Sequence, residues 1–139
     1  MRKFASAVGL GFVLLGAVGC SGAQRYEITG VNAAQGGDAT LEVEEEDQGT
    51  VGVAIAVQHL LPPERVQANA EHYAVWIRHQ DRAPIHAGNL AYDSEKRTGS
   101  LRVSTPHRQF SLSITAEVGE NPAFPSDDVV FRQAVTVDD

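Results

Sequence analysis

The chain has 139 residues, of which 11 are basic and 18 acidic, so its formal net charge is −7 at pH 7. An acidic chain is repelled by phosphate backbones, and no basic cluster with interleaved aromatic residues occurs, which argues against a nucleic-acid partner. The single cysteine excludes an internal disulfide, and the length suits one domain built on one hydrophobic core.

Residues 1–19 have the layout of a secretory signal peptide. Arg2 and Lys3 provide a positively charged start, and residues 4–18 form an uncharged apolar stretch. A helix over that stretch would extend about 22 Å, short of the roughly 30 Å hydrocarbon core, so we do not expect a permanent membrane span. The only cysteine, Cys20, follows directly after this stretch.

Residues 17–20 read Ala-Val-Gly-Cys, which resembles the lipobox of a bacterial lipoprotein precursor. The resemblance implies that Cys20 becomes the mature N-terminus and is lipidated, and that its acyl chains anchor the protein in a membrane. Ser21 fits the outer-membrane sorting pattern of such lipoproteins. We therefore expect a cell-envelope protein, lipid-anchored in the outer membrane and facing the periplasm. The alternative is a plain secreted protein cleaved near Gly19 or Ala23.

After Cys20 the chain is predicted to form a short tether over residues 20–25 and a single β domain over residues 26–139. Alternating polar and apolar residues predict strands. Turn signals about every 8 to 12 residues and the lack of a long helical pattern favour an all-β, Ig-like antiparallel β-sandwich of about 7–8 strands over a closed barrel. The predicted strands cover residues 26–31, 40–44, 51–57, 72–78, 85–92, 101–103, 110–116 and 129–137.

Three local expectations follow from these patterns. Gly or Ala occupies one face of the strand at 51–57, and we expect a loop to cover that face. Pro63 is expected to begin a short helical turn. In the strand at 110–116 the inward residues are expected to be Phe110, Leu112, Ile114 and Ala116.

The acidic run at residues 44–47 suggests a calcium site, because calcium takes six to eight oxygen ligands. Adjacent strand residues point to opposite faces, however, so consecutive carboxylates do not converge on one ion. The preferred interpretation is a solvated strand end that discourages edge-to-edge pairing.

The second half of the chain carries an ordered series of short motifs: Tyr73-x-Val75-Trp76-Ile77, Ala87-Gly88, Phe110-x-Leu112-x-Ile114-Thr115-x-Glu117, and Pro122-x-x-Pro125-Ser126 before Val129-Val130. In order and spacing they resemble the extracytoplasmic domain of the anti-sigma-K factor family. The resemblance implies a sandwich module for sensing or protein contact outside the cytoplasmic membrane. It carries over no catalytic residue, and we do not expect anti-sigma activity, since family members place a cytoplasmic sigma-binding domain and a membrane span before this module.

The histidines offer no local set of metal ligands. His72 and His79 differ by an odd number and would point to opposite faces of one strand, although a zinc site that joins His72 and His86 from neighbouring strands stays open. A serine hydrolase could combine Ser104 or Ser111 with His107 and Asp128, but no Gly-x-Ser-x-Gly elbow supports it. The remaining histidine is His59.

Two aromatic residues are candidate ligand or partner contacts. Trp76 could be an exposed platform, together with Tyr92, for a sugar or a peptide. The alternative, which we favour, is that Trp76 packs beneath the loop at Pro62-Pro63. Thr115 and Glu117 are expected to stabilise the turn before the proline-containing loop.

Taken together, these patterns favour a non-catalytic binding, sensor or structural module, with no enzyme activity, cofactor or metal. The expected partners are the membrane, through acyl chains on Cys20, and an envelope protein. The two rival hypotheses are a small metal-dependent or serine hydrolase using His72, His86 or His107, and a carbohydrate-binding module using Trp76 and Tyr92.

Overall fold

A computed structural model describes residues 23–138, which fold into two antiparallel sheets. One sheet has the strand order β1-β2-β3-β7-β6 and the other has the order β5-β4-β8-β9. The nine strands are β1 (Gln24–Thr29), β2 (Asp38–Glu45), β3 (Val51–Gln58), β4 (His72–Arg78), β5 (Ile85–Asn89), β6 (Ala91–Asp93), β7 (Thr98–Thr105), β8 (Gln109–Glu117) and β9 (Val129–Thr136).

This connectivity confirms the predicted β-sandwich. Strands β2-β3-β7-β6 and β5-β4-β8-β9 occupy the places of the two sheets of an immunoglobulin-like domain, and β1 adds one strand at the edge of the first sheet. The helical segments in residues 23–138 are three-residue 3₁₀ turns, one of which begins at Pro63 as predicted. No helix in this part of the chain is long and apolar enough to cross a membrane.

The predicted single strand at 85–92 is two strands in different sheets. Residues 85–89 pair with β4, whereas residues 91–93 pair with β7. The chain changes sheets at Leu90, which is buried and donates its backbone N–H to the carbonyl of Tyr73 at 2.9 Å. This switch explains why the domain has nine strands rather than about eight.

The core lies between the two sheets and is built from the alternating apolar positions of the strands. Leu41 faces Ile55 and Val43 faces Val53 across the β2–β3 pair, and all four side chains are buried. The predicted inward residues of β8 are buried as well: Phe110, Leu112, Ile114 and Ala116.

Two local predictions need correction. Strand β1 begins at Gln24, so the last two residues assigned to the tether belong to the sheet. The small-residue face of β3 is not covered by a loop, since Ala56 is exposed and only Gly52 is covered, by the carboxylate of Glu46. The chain between β2 and β3 is too short to extend over the far end of β3.

One side of the sandwich is closed by hydrogen bonds between β1 and β9, and we call this side the closed seam. The hydroxyl of Tyr26 donates to the carbonyl of Thr136 at 3.1 Å and accepts from its N–H at 3.2 Å. The amide of Gln24 donates to the same carbonyl at 3.0 Å. Further along, the N–H of Val31 donates to the carbonyl of Val130 at 2.9 Å.

Candidate functional site

On the opposite side of the sandwich, β5 and β7 form facing edges, and we call the gap between β5 and residues 101–105 of β7 the open seam. Strand β6 pairs with residues 98–100 only, because it begins after the switch at Leu90. Residues 101–105 pair with β3 on one side. On their other side, no strand in the described part of the chain pairs with them.

The open seam contains a cleft of about 630 Å³. Ile85 is 66% exposed, which is unusual for a large apolar side chain beside a core. At the base of the seam, the methyl groups of Leu101 pack against the backbone of Gly88. The apolar lining consists of Ile77, Ala83, Ile85, Ala87, Val103, Pro106 and the methyl-bearing Thr105.

The titratable residues that line the cleft are all basic: His79, Arg82, Arg102 and His107. Arg102 also forms an ion pair with Glu44 at 3.8 Å, and both side chains of that pair are largely exposed. Arg82 forms no ion pair with any residue in the range 23–138. A cleft lined by one sign of charge concentrates the electric field within it. The titratable residues of this cleft are thus opposite in sign to the net charge of the chain, which is −7.

Two of these side chains, His79 and His107, stack face to face at the end of the cleft. Their ring centroids are 3.7 Å apart and their planes differ by 5°. Nδ1 of His79 lies 3.2 Å from the carbonyl oxygen of Gln109, which can only accept, so Nδ1 carries a proton. Desolvation lowers the pKa of His107, and the nearby His79 and Arg82 lower it further.

Trp76 is not an exposed platform, because its side chain is 1% exposed. The ring is buried, as favoured, but not beneath the loop at Pro62-Pro63, because that loop lies on the other face of β4, where the hydroxyl of Tyr73 donates to the carbonyl of Leu61. The partners of the Trp76 ring are His86, with centroids 5.2 Å apart, and Thr115, whose hydroxyl accepts from Nε1 at 2.8 Å. Thr115 then donates to Glu117 at 2.6 Å, and Glu117 also accepts from the N–H of Ser126 at 2.8 Å. Glu117 therefore holds the end of the proline-containing loop, rather than the turn before it that was predicted, and Thr115 connects Glu117 to Trp76.

Tyr92 lies on the other side of β4 from Trp76. Its half-buried ring meets that of Tyr73 edge to face, with centroids 5.4 Å apart, and its hydroxyl donates to the carbonyl of Leu60. Burial raises the pKa of both tyrosines. Trp76 and Tyr92 therefore cannot form one sugar-binding platform, although a ligand contact at Tyr92 alone stays a prediction.

The triad of the rival serine-hydrolase hypothesis is not formed. The backbone N–H of Ala116 donates to the backbone carbonyl of Asp128 near one end of β8, whereas His107 precedes Gln109 at the other end. Seven residues of extended strand separate those ends by about 23 Å. Ser104, in turn, donates its hydroxyl to Glu46 at 2.8 Å.

The hypothesis of a zinc site that joins His72 and His86 also lacks support. Nε2 of His86 is hydrogen-bonded to Oδ1 of Asn89 at 2.8 Å, and the His86 ring packs on Trp76. No three His, Cys, Asp or Glu side chains in residues 23–138 are placed to hold a metal ion.

The carboxylates of the acidic run point to different partners, as the alternation of strand residues requires. Glu44 pairs with Arg102 and Glu45 with Arg108. Glu46 accepts from Thr50 at 3.1 Å and from Ser104. The run is therefore not a free acidic surface but is partly neutralised by the strands around it.

The signal peptide at residues 1–19 and the lipidation site Cys20 lie outside the described residues, so they stay predictions. No protein-family model, curated protein or solved structure matches this chain.

Proposed function

We propose that this protein is a lipid-anchored protein of the bacterial cell envelope that acts as a non-catalytic binding module, and that the open seam is its binding site. The observation that carries the proposal is the cleft itself, which combines apolar walls, four basic side chains and an unpaired strand edge. Concave, mostly apolar sites with a few convergent polar groups are typical binding sites.

The side chains of the cleft are suited to binding rather than to a reaction. The hydroxyl of Ser104 is bonded to Glu46, and the ring of His107 is stacked on His79, so neither is paired with the other as nucleophile and base. Arg82 and Arg102 are permanent cations that attract an anionic group at any physiological pH.

The predicted anchor would hold the histidine end of the cleft near the membrane. Gln24 pairs with Val43, Val43 with Val53, and Val53 with Val103, so the start of β1 and the end of β7 lie at the same end of the sandwich. The four residues from Cys20 to Gln24 extend at most about 14 Å. An acylated Cys20 would thus restrict the partners to components of the envelope.

Site-specific photocrosslinking in the intact bacterium tests this proposal. A benzophenone amino acid replaces Ile85 in the cleft or, as the matched control, Phe124, which is 78% exposed in the proline-containing loop. We expect a discrete adduct from position 85 that is absent from position 124 and is lost when Arg102→Glu is added.

Adducts that are equal at both positions, or that are insensitive to Arg102→Glu, would contradict the binding site. The anchor is tested separately by intact-mass analysis of the membrane-purified chain beside a Cys20→Ser variant. A mature chain without acyl groups on Cys20 would contradict the anchor alone.

A further inference from the structure

We infer that the occupant of the open seam is an extended segment of a partner protein, with alternating apolar and acidic residues, that adds to the edge of β7 as an extra strand. This inference rests on the proposed function, since it names the ligand of the same cleft. Three features of the seam support it: the backbone edge, the alternation of side chains along β7, and the sign of the charge.

The backbone edge is the first feature. In an antiparallel pair, alternate residues direct their N–H and C=O groups to the neighbouring strand, and the residues between them direct theirs away. Residues 101–105 of β7 therefore present groups bonded to β3 and groups that face the seam. The five residues span about 17 Å, enough for a short added strand. Strand addition to such an edge is a general mode of peptide recognition.

The alternation of side chains along β7 defines the pattern of the added strand. Val103 and Thr105 are buried and Leu101 is half-buried, so these residues face the interior, whereas Arg102 and Ser104 are exposed on the outer face. A neighbouring strand has the same alternation. Its inward residues would meet the apolar walls of the cleft, and its outward residues would lie beside Arg102.

The basic residues of the seam favour acidic residues at those positions of the added strand that face outward. Arg102 lies on the outer face of β7, where it forms an exposed ion pair with Glu44 at 3.8 Å, and Arg82 with the two stacked histidines lies at the end of the cleft. An exposed pair of that length contributes little, so an acidic residue of the added strand can compete with Glu44 for Arg102. At the end of the cleft the acidic strand meets Arg82, which forms no ion pair within residues 23–138. A second copy of this chain, paired edge to edge through β7, would instead bring two Arg102 side chains to the same face of the joined sheet, and like charges there are unfavourable.

The test measures binding of fluorescent peptides to the full chain purified from membranes. The probe is an acetylated, amidated heptapeptide in which valine and glutamate alternate. The controls are a peptide with lysine in place of glutamate and a peptide of the same composition with its valines and glutamates in two blocks. We expect both controls to bind at least tenfold more weakly, and Arg102→Glu to weaken the alternating glutamate peptide at least tenfold.

A second pair of peptides tests the backbone bonds directly. Along a strand, residues that share a face also direct their N–H groups to the same side, so either all the valines or all the glutamates donate to β7. Methylation of the backbone nitrogens of one set should abolish binding, while methylation of the other set should leave it nearly unchanged. Equal effects of the two methylations would overturn strand addition, even if the acidic peptide binds.

Failure of this inference is distinguishable from failure of the proposed function. If none of the peptides binds but position 85 still forms an adduct sensitive to Arg102→Glu, the strand model is wrong and the binding site stands. If neither result is obtained, both are wrong. A concentration-dependent dimer that forms an adduct between position 85 of one copy and the other copy would replace the partner segment with a second copy of this chain.

Discussion

The two sides of the sandwich both expose strand edges, but only one side is closed by hydrogen bonds between the sheets. Each side has a gap between the sheets bordered by strand edges, which are templates for pairing with other chains. At the closed seam, Gln24 and Tyr26 of β1 hydrogen-bond to the backbone of β9 and join the sheets. At the open seam, no hydrogen bond joins β5 to β7 within residues 23–138, and a cleft lies between them.

The difference indicates that the closed seam stabilises the fold and that the open seam is free for binding. Bonds across the closed seam fix the first and last strands to each other, so their loss should destabilise the fold. An open edge in water costs little, since its backbone groups are hydrated, and it stays available to a partner. The following predictions test that separation, beginning with the largest expected effect.

Tyr26→Ala should destabilise the protein most, because it removes a half-buried ring packed on the core and both bonds to Thr136. We expect the free energy of unfolding to fall by about 2–3 kcal/mol, measured by urea denaturation. Tyr26→Phe is the matched control, which keeps the ring and should cost about 1 kcal/mol. A loss below about 0.5 kcal/mol for the alanine variant would show that the closed seam is not a source of stability.

Gly88→Ala should have the next largest effect, because Gly88 is the point where β5 meets β7 closely. Its φ of +153° is rarely adopted by residues with a side chain, and an added Cβ would lie 3.1 Å from Cδ2 of Leu101. We expect a loss of about 1–2 kcal/mol in the same assay. Gly119→Ala is the control, since nothing lies within 4 Å of its Cβ position. Equal losses in the two variants would contradict this local explanation.

Ile85→Ser should leave stability unchanged within about 0.5 kcal/mol, because the side chain is mostly exposed at the open seam. The same substitution should weaken binding of the alternating peptide, since it removes an apolar wall of the cleft. A large loss of stability would mean that Ile85 belongs to the core, and the contrast between the seams would fail at this point.

Much of the fold could be predicted from the sequence, because the core strands alternate with a clear period of two. Residues 51–57 and 110–116 needed no tertiary information to be recognised as strands. The switch at Leu90 could not be predicted, since residues 85–92 are continuously extended and only their neighbours decide which sheet each half joins. That switch also shortens β6 and leaves the edge of β7 open.

The candidate site was missed for the same reason. His79, Arg82, Arg102 and His107 lie in three segments of the sequence, and nothing in their spacing indicates that the topology brings them to one cleft. The sequence favours burial of Trp76 but beneath the wrong segment, the loop at Pro62-Pro63. The partners of its ring, His86 and Thr115, belong to the two strands beside β4, and the sequence does not show those strands to be its neighbours.

The smallest predicted effect is a dependence of stability on pH that arises at the open seam. The pKa of His107 is lowered from 6.5 by desolvation first and then by His79 and Arg82, while Arg102 adds positive charge to the same cleft. Between 6.5 and the lowered value the unfolded chain binds more protons than the folded one, so stability is full above pH 6.5 and falls as the pH decreases below it.

His107→Gln should reduce the decrease in the free energy of unfolding between pH 7.5 and 5.5, measured by urea denaturation at each pH. His59→Gln is the matched histidine control, because His59 forms an exposed pair with Asp38 away from the cleft. Affinity for the acidic peptide should change in the opposite direction, because protonation of His107 adds a positive charge where the peptide is expected to bind. If stability and affinity fell together with pH, the histidine end of the cleft would not be the anionic site, and binding would have to depend on Arg82 and Arg102 alone.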